Sequence, residues 1–473
     1  MKLVKNYLYN AWYQIFVIIV PLITTPYISR VLGSYGVGVN AYTSSIAQFF
    51  VIFAGLGINL YGNREIAYVQ HGKEKLSQLF WEIELLRLIA VLIGCAIFGT
   101  YLLTNPKYEM ALLLQGGLII STGLDISWLF MGQEDFKRIV LKNAIVKIVS
   151  VILILIFVRH ATDLNRYIFI ISGSTLIGNL TLWSPLRHLV SPVPVSSLKI
   201  WRHLKPALLL LIPQIASQIY LVLNKTMLGQ MAGITATGFF DNSDKIIKLI
   251  LSLVTATGTV MLPRVAATFN QGNQKKVVAY LYNTFDFVTA LSVPLFLGIA
   301  AIASGVAPFF LGSDFTGIDK IIMLESPVIL IIAWSNVLGV QYLLPTKQNK
   351  CYTISVIIGA VVNISCNIPL ISLMGTGGAC VATVIAELSI MVFQLWCVRS
   401  EVQIRTLFNG NWKYWLSGLI MFGFIYSITT HVTVTIPILI GEILLGIVTY
   451  TLGLLVLHAP INTKVWQLLA SKK

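Results

Sequence analysis

The sequence predicts an all-α polytopic membrane protein of about fourteen transmembrane helices. Composition is the first reason: of 473 residues, 56% are hydrophobic and 11% charged, where a soluble chain carries roughly a quarter charged. The mean hydropathy of +0.82 leaves too little polar surface to coat a water-soluble globule. Segment length is the second reason. Apolar runs recur from end to end at about 20 residues, the length of a helix crossing a hydrocarbon core of about 30 Å. The absence of alternation is the third: barrel strands would show polar-apolar alternation over about ten residues. Only helices and closed barrels satisfy their backbone in lipid, so helices remain.

In chain order, the apolar segments are 8–32, 38–63, 79–104, 109–131, 143–159, 166–187, 206–231, 238–263, 278–303, 320–344, 352–373, 378–398, 413–430 and 436–457. Lys2 and Lys5 precede the first run as they would in a signal peptide. That run, however, contains Pro21 and Pro26, continues to Leu32 and lacks a small-residue cleavage site, so it reads as a retained helix. The fifth segment is the shortest. The longest polar gap, His188 to Lys205, contains Pro192 and Pro194 and separates six helices from eight. The expected organisation is an N-lobe over 1–190, a linker over 191–205, a C-lobe over 206–400, and two added helices with the tail over 401–473.

The net charge of +15 sits in short loops between the apolar runs, which argues for membrane topology and anionic headgroups rather than nucleic acid. With the N-terminus inside, Lys73, Lys75, Lys137, Arg138, Lys275, Lys276 and most other cations fall in inner loops. The outer ends hold only Arg30, Lys107, Arg159, Arg166 and Lys320. Cation-rich short loops stay in the cytoplasm, so both termini are expected there. The five cysteines form no CxxC or metal-spaced cluster, and the six histidines do not assemble into a ligand set. Walker A, HExxH and GxSxG motifs are absent, and no extramembrane segment is large enough for a catalytic domain. Neither an enzyme activity nor a metal or cofactor is expected, and ATP-driven transport would require a partner subunit.

A displacement of 200 positions brings Gln14 onto Gln214, Gly33 onto Gly233, Gly38 onto Gly238, Ile46 onto Ile246, Arg64 onto Arg264 and Ala67 onto Ala267. The sequence therefore reads as a repeated six-helix unit. An even number of helices makes the halves parallel, so that two lobes can rock around a central cavity. Polar stripes mark the first two helices of each half: Asn10, Gln14, Thr24 and Thr25; Asn40, Ser44, Gln48, Asn59 and Asn63; Gln214, Ser217, Gln218, Asn224 and Lys225; Thr237, Asp241, Asp244, Lys248, Ser252, Thr255 and Thr259. Such stripes face water or protein. The plainer alternative is helix–helix hydrogen bonding.

Charges inside spans require partners or a purpose. Asp241–Lys245 and Asp244–Lys248 are spaced i,i+4, so they either neutralise each other or face substrate. Lys225 and Arg30 either snorkel outward or line the cavity, and Arg64 and Arg264 either anchor topology or contact substrate. Asp125 and Lys147 are expected as a buried ion pair and Glu84 with Arg87 as a local pair. Glu387 is structural or carries a coupling proton. Asp286, Glu325 and Glu442 are lesser cases of the same kind.

Particular strings then carry a resemblance: Thr25-Pro26-Tyr27-Ile28-Ser29-Arg30-Val31-Leu32-Gly33, Tyr61-Gly62-Asn63-Arg64-Glu65-Ile66-Ala67, Asp125-Ile126-Ser127-Trp128-Leu129-Phe130, Asn224-Lys225-Thr226-Met227-Leu228-Gly229, Gly238-Phe239-Phe240-Asp241-Asn242 and Leu262-Pro263-Arg264. In this order and spacing the whole chain resembles the Wzx-type polysaccharide repeat-unit flippases of the MATE-like exporter superfamily. The resemblance implies a V-shaped pair of six-helix lobes around a cavity lined by the first, second, seventh and eighth helices. Its implied substrate is an undecaprenyl-pyrophosphate-linked oligosaccharide moved outward for capsule or exopolysaccharide assembly. The implied partners are that glycan, membrane lipids, a polysaccharide polymerase and chain-length machinery. Relatives carry Asp where this chain has Asn224, so that position holds no coupling carboxylate here.

Alternating access is the expected mechanism, with Arg30, Arg64, Lys225, Lys248 and Arg264 as phosphate partners. Gln48, Asn59, Asn63, Gln214 and Gln218 are expected sugar contacts. A drug/cation antiporter on the same scaffold would require carboxylates rather than cations in the cavity. A membrane glycan polymerase or ligase would present a substantial outer loop, whereas Asp163, Asp314 and Asp319 are the few acidic side chains in these short ones.

Overall fold

The computed structural model describes residues 2–69, 72–104, 106–432 and 435–463, with the side chains of these residues except 2–18, 212–214, 216, 217, 219, 257, 259 and 260. Every regular element among them is helical. The first seven α-helices are α1 (Lys2–Gly55), α2 (Ile58–Tyr68), α3 (Lys73–Thr104), α4 (Glu109–Leu124), α5 (Ser127–Gly132), α6 (Phe136–Phe157) and α7 (Leu164–Thr181). The short α8 (Leu186–Leu189) leads towards α9 (Leu204–Met231). Then follow α10 (Ile234–Asn270), α11 (Gln274–Leu311), α12 (Ile318–Glu325), α13 (Pro327–Leu338), α14 (Asn349–Met374) and α15 (Thr376–Val398). After the short α16 (Ile404–Leu407) come α17 (Asn411–His431) and α18 (Ile436–Val456).

Eleven spans among the described residues are long and apolar enough to cross a membrane. The first, Ile19–Tyr68, contains two of the expected crossings, because α1 bends at Gly33 (φ 67°, ψ −179°). That conformation is open to glycine and strained for any residue with a Cβ. Once its two arms are counted separately and the long helices α9 and α17 are added, the expected fourteen crossings are present. The tenth crossing is built from α12, α13 and a π-helical turn, Gly339–Leu343.

The chain divides into two compact units, Met1–Gln230 and Met231–Lys473. By this division α9 is counted with the first unit, whereas the repeat pattern assigns it to the second half. In the first unit, α2, α3 and α5 enclose a core around Trp128, whose ring stacks on Phe80 with centroids 5.5 Å apart. Gly62 makes this possible, since a Cβ there would lie 2.4 Å from the indole. A second cluster joins Ile46 and Ala54 of α1 to Val91 and Phe98 of α3 and Leu112 and Ile119 of α4.

In the second unit the long α11 forms the centre of the core. Phe285 stacks on Trp334 at 5.6 Å, and the indole Nε1 donates to Thr289 Oγ1 at 2.8 Å. The two C-terminal helices dock on α11 through tyrosines. Tyr414 donates to the buried Asp286 carboxylate at 2.7 Å, and Tyr450 donates to the Ala290 carbonyl at 2.8 Å. Gly418 lets α17 approach closely, as a Cβ there would meet Leu297 and Val293 at 2.8 Å. Glu442 of α18 accepts from Thr429 of α17 at 3.0 Å.

Candidate polar cavity and linker clamp of the first unit

Four of the expected site residues, Gln48, Asn59, Asp125 and Gln218, line one cavity of about 460 Å³ within the first unit. Ser121, Thr122, Thr175 and Asn179 complete its polar wall. Gln48 projects from the second arm of α1, Gln218 from α9 and Asn59 from the first turn of α2. Asp125 ends α4, where its Oδ1 accepts the Ser127 backbone N–H at 3.1 Å.

Two cations support this wall. Arg87, 1% exposed, donates from Nη2 to Asn59 Oδ1 at 3.0 Å and from Nη1 to the carbonyls of Thr122 and Asp125. Lys142 donates to Asn179 Oδ1 at 2.9 Å, and the Asn179 amide donates in turn to Ser121 Oγ at 2.9 Å. The result is a surface of amides and hydroxyls, polarised by buried positive charge and tempered by one carboxylate. It can make hydrogen bonds to many hydroxyl-bearing ligands without demanding one geometry.

One expected pairing is refined here and another corrected. Arg87 acts on Glu84 through its charge, while its guanidinium donates to Asn59 and to two carbonyls at the end of α4. Asp125 does not pair with Lys147. Its carboxylate caps the following turn, and the cation that senses it is Lys142, more than one helical turn earlier on α6. Part of the polar stripe serves helix–helix contacts, with Gln115 donating to Asn40 at 3.1 Å and Ser45 lying 2.8 Å from Thr226.

The other expected residues lie elsewhere. Arg64 pairs with its neighbour Glu65 at 2.8 Å and stacks over Tyr61. Arg264 is exposed, over the ring of Tyr280 at 5.3 Å. Lys245 lies 2.6 Å from Asp241, and Lys248 lies 2.8 Å from Asp244. Beside them the buried Glu325 accepts from Ser243 at 2.5 Å. Glu387 is buried and acts on Tyr352 electrostatically. Arg30 is exposed, Asn63, Lys147 and Lys225 are half-buried, and the Gln214 side chain lies outside the described residues.

A second constellation had no expectation attached to it. Glu82 of α3, with no exposed surface, accepts from Arg202 at 2.5 and 2.9 Å, from the Lys199 backbone N–H at 2.9 Å and from Gln78 at 3.0 Å. His203 Nε2 lies 2.8 Å from the same carboxylate, while its Nδ1 lies 2.7 Å from Tyr61 Oη. Trp81 donates to the Ser191 carbonyl at 3.1 Å, and the Ser191 N–H donates to Ser77 at 2.9 Å. The polar gap at 191–203 is thereby fastened to α3 and α2. Its partners lie more than a hundred residues apart, beyond the reach of any spacing rule. Among the described residues no group of three His, Cys, Asp or Glu side chains is arranged to hold a metal ion.

Comparison with known proteins agrees with this architecture. The chain is 23% identical over 410 residues to a putative O-antigen transporter of Escherichia coli (strain K12), covering 85% of this chain and 98% of the relative. It is 27% identical over 152 residues to the lipid II flippase MurJ of Bacillus subtilis (strain 168), covering 32% of this chain and 28% of MurJ. The solved structure of lipid II flippase MurJ in an inward closed conformation superposes with a TM-score of 0.77, at 17% identity, covering 94% of this chain and 98% of that one. An inward-facing MATE family multidrug transporter superposes with a TM-score of 0.58, at 16% identity, over 81% of this chain and 98% of that one. The family profile described as polysaccharide biosynthesis protein matches residues 3–269, more than half of the chain. This protein is therefore a multi-pass membrane protein of the MATE-like fold, and it belongs to the polysaccharide biosynthesis protein family.

Proposed function

We propose that this chain translocates undecaprenyl-pyrophosphate-linked oligosaccharide repeat units from the cytoplasmic to the outer leaflet of a bacterial cell membrane, for capsule or exopolysaccharide assembly. Its termini lie on the cytoplasmic side in this reading. The observation that carries it is the polar cavity of about 460 Å³ set among membrane-crossing helices and backed by Arg87 and Lys142. A polar head crossing hydrocarbon needs replacement of its hydration. A wall of Gln48, Asn59, Asn179, Thr175 and Gln218 supplies adaptable hydrogen bonds of the kind sugar hydroxyls require. The named relatives, an O-antigen transporter and a lipid II flippase, support a lipid-linked glycan as the cargo.

Arg30 and Lys225 serve as phosphate partners, since they continue the polar faces of α1 and α9. Gln48, Asn59 and Gln218 serve as sugar contacts. The test is reconstitution of the purified chain in vesicles with a fluorescent undecaprenyl-pyrophosphate oligosaccharide. Time-dependent loss of inner-leaflet label is expected, reduced about tenfold or more by Arg30→Ala or Lys225→Ala. Full flipping in both variants would remove these residues from the mechanism. Glycans lengthened by the purified chain alone would show a polymerase instead.

A further inference from the structure

One face of α3 changes character along its length. Lys75, Gln78, Glu82, Leu86, Ile93 and Ile97 recur at intervals of three, four or seven residues, so they share a stripe about 33 Å long. Near Lys75 the stripe borders a polar pocket of about 500 Å³, whose wall includes Tyr61, Glu65, Gln78, Arg202 and His203. From Leu86 to Ile97 it borders a groove, also of about 500 Å³, which Phe50 and Phe53 of α1 and Leu204 and Leu208 of α9 complete. Every side chain lining the groove is apolar apart from the indole N–H of Trp201. The turn Ile200–His203 stands between the two spaces, with Trp201 on the groove and Arg202 and His203 on the pocket. Glu82 anchors this turn through Arg202.

We propose that groove and pocket together bind one anionic phospholipid of the surrounding bilayer, with an acyl chain in the groove and the phosphate at Arg202. The groove is open to lipid, since Phe53, Ile93, Ile97, Trp201 and Leu208 are all exposed. From Leu86 to Ile97 it runs about 16 Å, about half of a 30 Å hydrocarbon core and thus the depth of one leaflet. An ordinary acyl chain fits that length, whereas a polyprenyl tail long enough to cross the core would overrun it. The mouth carries the complementary charge. Lys199, Arg202 and Lys205 place three exposed cations within seven residues, while Glu82 is buried and Glu65 is paired with Arg64. Cations so placed attract anionic headgroups, and an exposed tryptophan beside them suits the membrane interface. Lys75 and Gln78 of the pocket then meet the polar end of the headgroup. A lipid seated in this way bridges α1, α3 and α9, and holds the 199–205 segment against α3 from the bilayer side.

The site lies wholly in the first unit and does not depend on the identity of the cargo. In the test, the full chain in detergent is titrated with phosphatidylglycerol and with phosphatidylcholine of identical acyl chains, and bound lipids are counted by native mass spectrometry. One phosphatidylglycerol per chain, held about fivefold or more tightly than phosphatidylcholine, is expected. Lys205→Gln should weaken it about fivefold by removing one mouth charge. Ala90→Phe, which fills the groove, should abolish it, whereas Leu113→Phe on an exposed face of α4 should leave it unchanged. A measurement on the wild type removes any dependence on how a variant folds. Phosphatidylglycerol with a photoreactive diazirine in its acyl chain should cross-link to residues 86–97 or 204–211. Equal retention of the two lipids, unaltered retention in Ala90→Phe, or cross-links spread over every lipid-facing helix overturns the proposal. Displacement of the bound phosphatidylglycerol by an undecaprenyl-pyrophosphate oligosaccharide also overturns it, and assigns the groove to the cargo.

Discussion

Two helices, α3 of the first unit and α10 of the second, handle their charges in opposite ways. In the second unit, α10 neutralises its own charges one turn apart, through Asp241–Lys245 and Asp244–Lys248, and both lysines keep more than a third of their side-chain surface exposed. On α3, Glu82 and Arg87 are held by partners from other segments. Glu82 is gripped by the 199–203 segment, and Arg87 by α2 and the end of α4. Pairs within one helix are inexpensive and separable, whereas those between helices tie the folding of several segments to a single side chain.

Four substitutions probe that contrast, beginning with the most damaging. Glu82→Ala removes the acceptor for Arg202, His203 and the Lys199 N–H, and should cost about 3 kcal/mol, because it strands a buried network rather than an exposed pair. Thermal unfolding in detergent should show it as a large drop in Tm. An unchanged Tm would mean that the linker is not held by this residue. Next comes Gly62→Val, which forces a branched side chain into the space of the Trp128 indole and should cost about 2 kcal/mol. Quenching of tryptophan fluorescence checks whether the ring has moved.

Tyr414→Phe, in the second unit, deletes the bond to Asp286 and leaves a buried carboxylate short of a donor, for about 1–2 kcal/mol. Its readout is selective protease access to α17 and α18. The mildest should be Lys248→Ala, below about 0.5 kcal/mol once solvent screening at its exposed side chain is counted. Were Lys248→Ala to destabilise as much as Glu82→Ala, the contrast between local and long-range charge handling would fail.

The sequence revealed what is local. Run length marked the crossings, and i,i+4 spacing brought together the residues that pair on α10. The bend in α1 falls at the end of the first predicted segment, since a glycine follows its apolar run. What stayed hidden depends on side-chain direction and on distant partners. Spacing joined Arg87 to Glu84, on which its charge does act, but the guanidinium's hydrogen bonds follow the amide and carbonyls offered by α2 and α4. Counting by depth placed Lys147 opposite Asp125, yet the helix phase brings Lys142 to Asn179. His203 looked like a stray loop histidine, because nothing in its neighbourhood announces a glutamate more than a hundred positions earlier. Of the cavity itself, Gln48, Asn59, Asp125 and Gln218 were legible as polar side chains within apolar helices. Asn179 and Thr175 recur with Ser172 at helical spacing on α7, but that face lies outside the four helices whose stripes marked the expected cavity.

The bend at Gly33 has a mechanical consequence. Beyond it, residues 34–55 run on as a rod about 33 Å long at the usual rise per residue. Two torsions at one achiral residue therefore set the heading of that rod, and a swing of about 10° would carry its far end about 6 Å. Gln48 and Gly55 ride on this lever, so the shape of the space they border is steered from the opposite end of the helix, without unwinding a single turn.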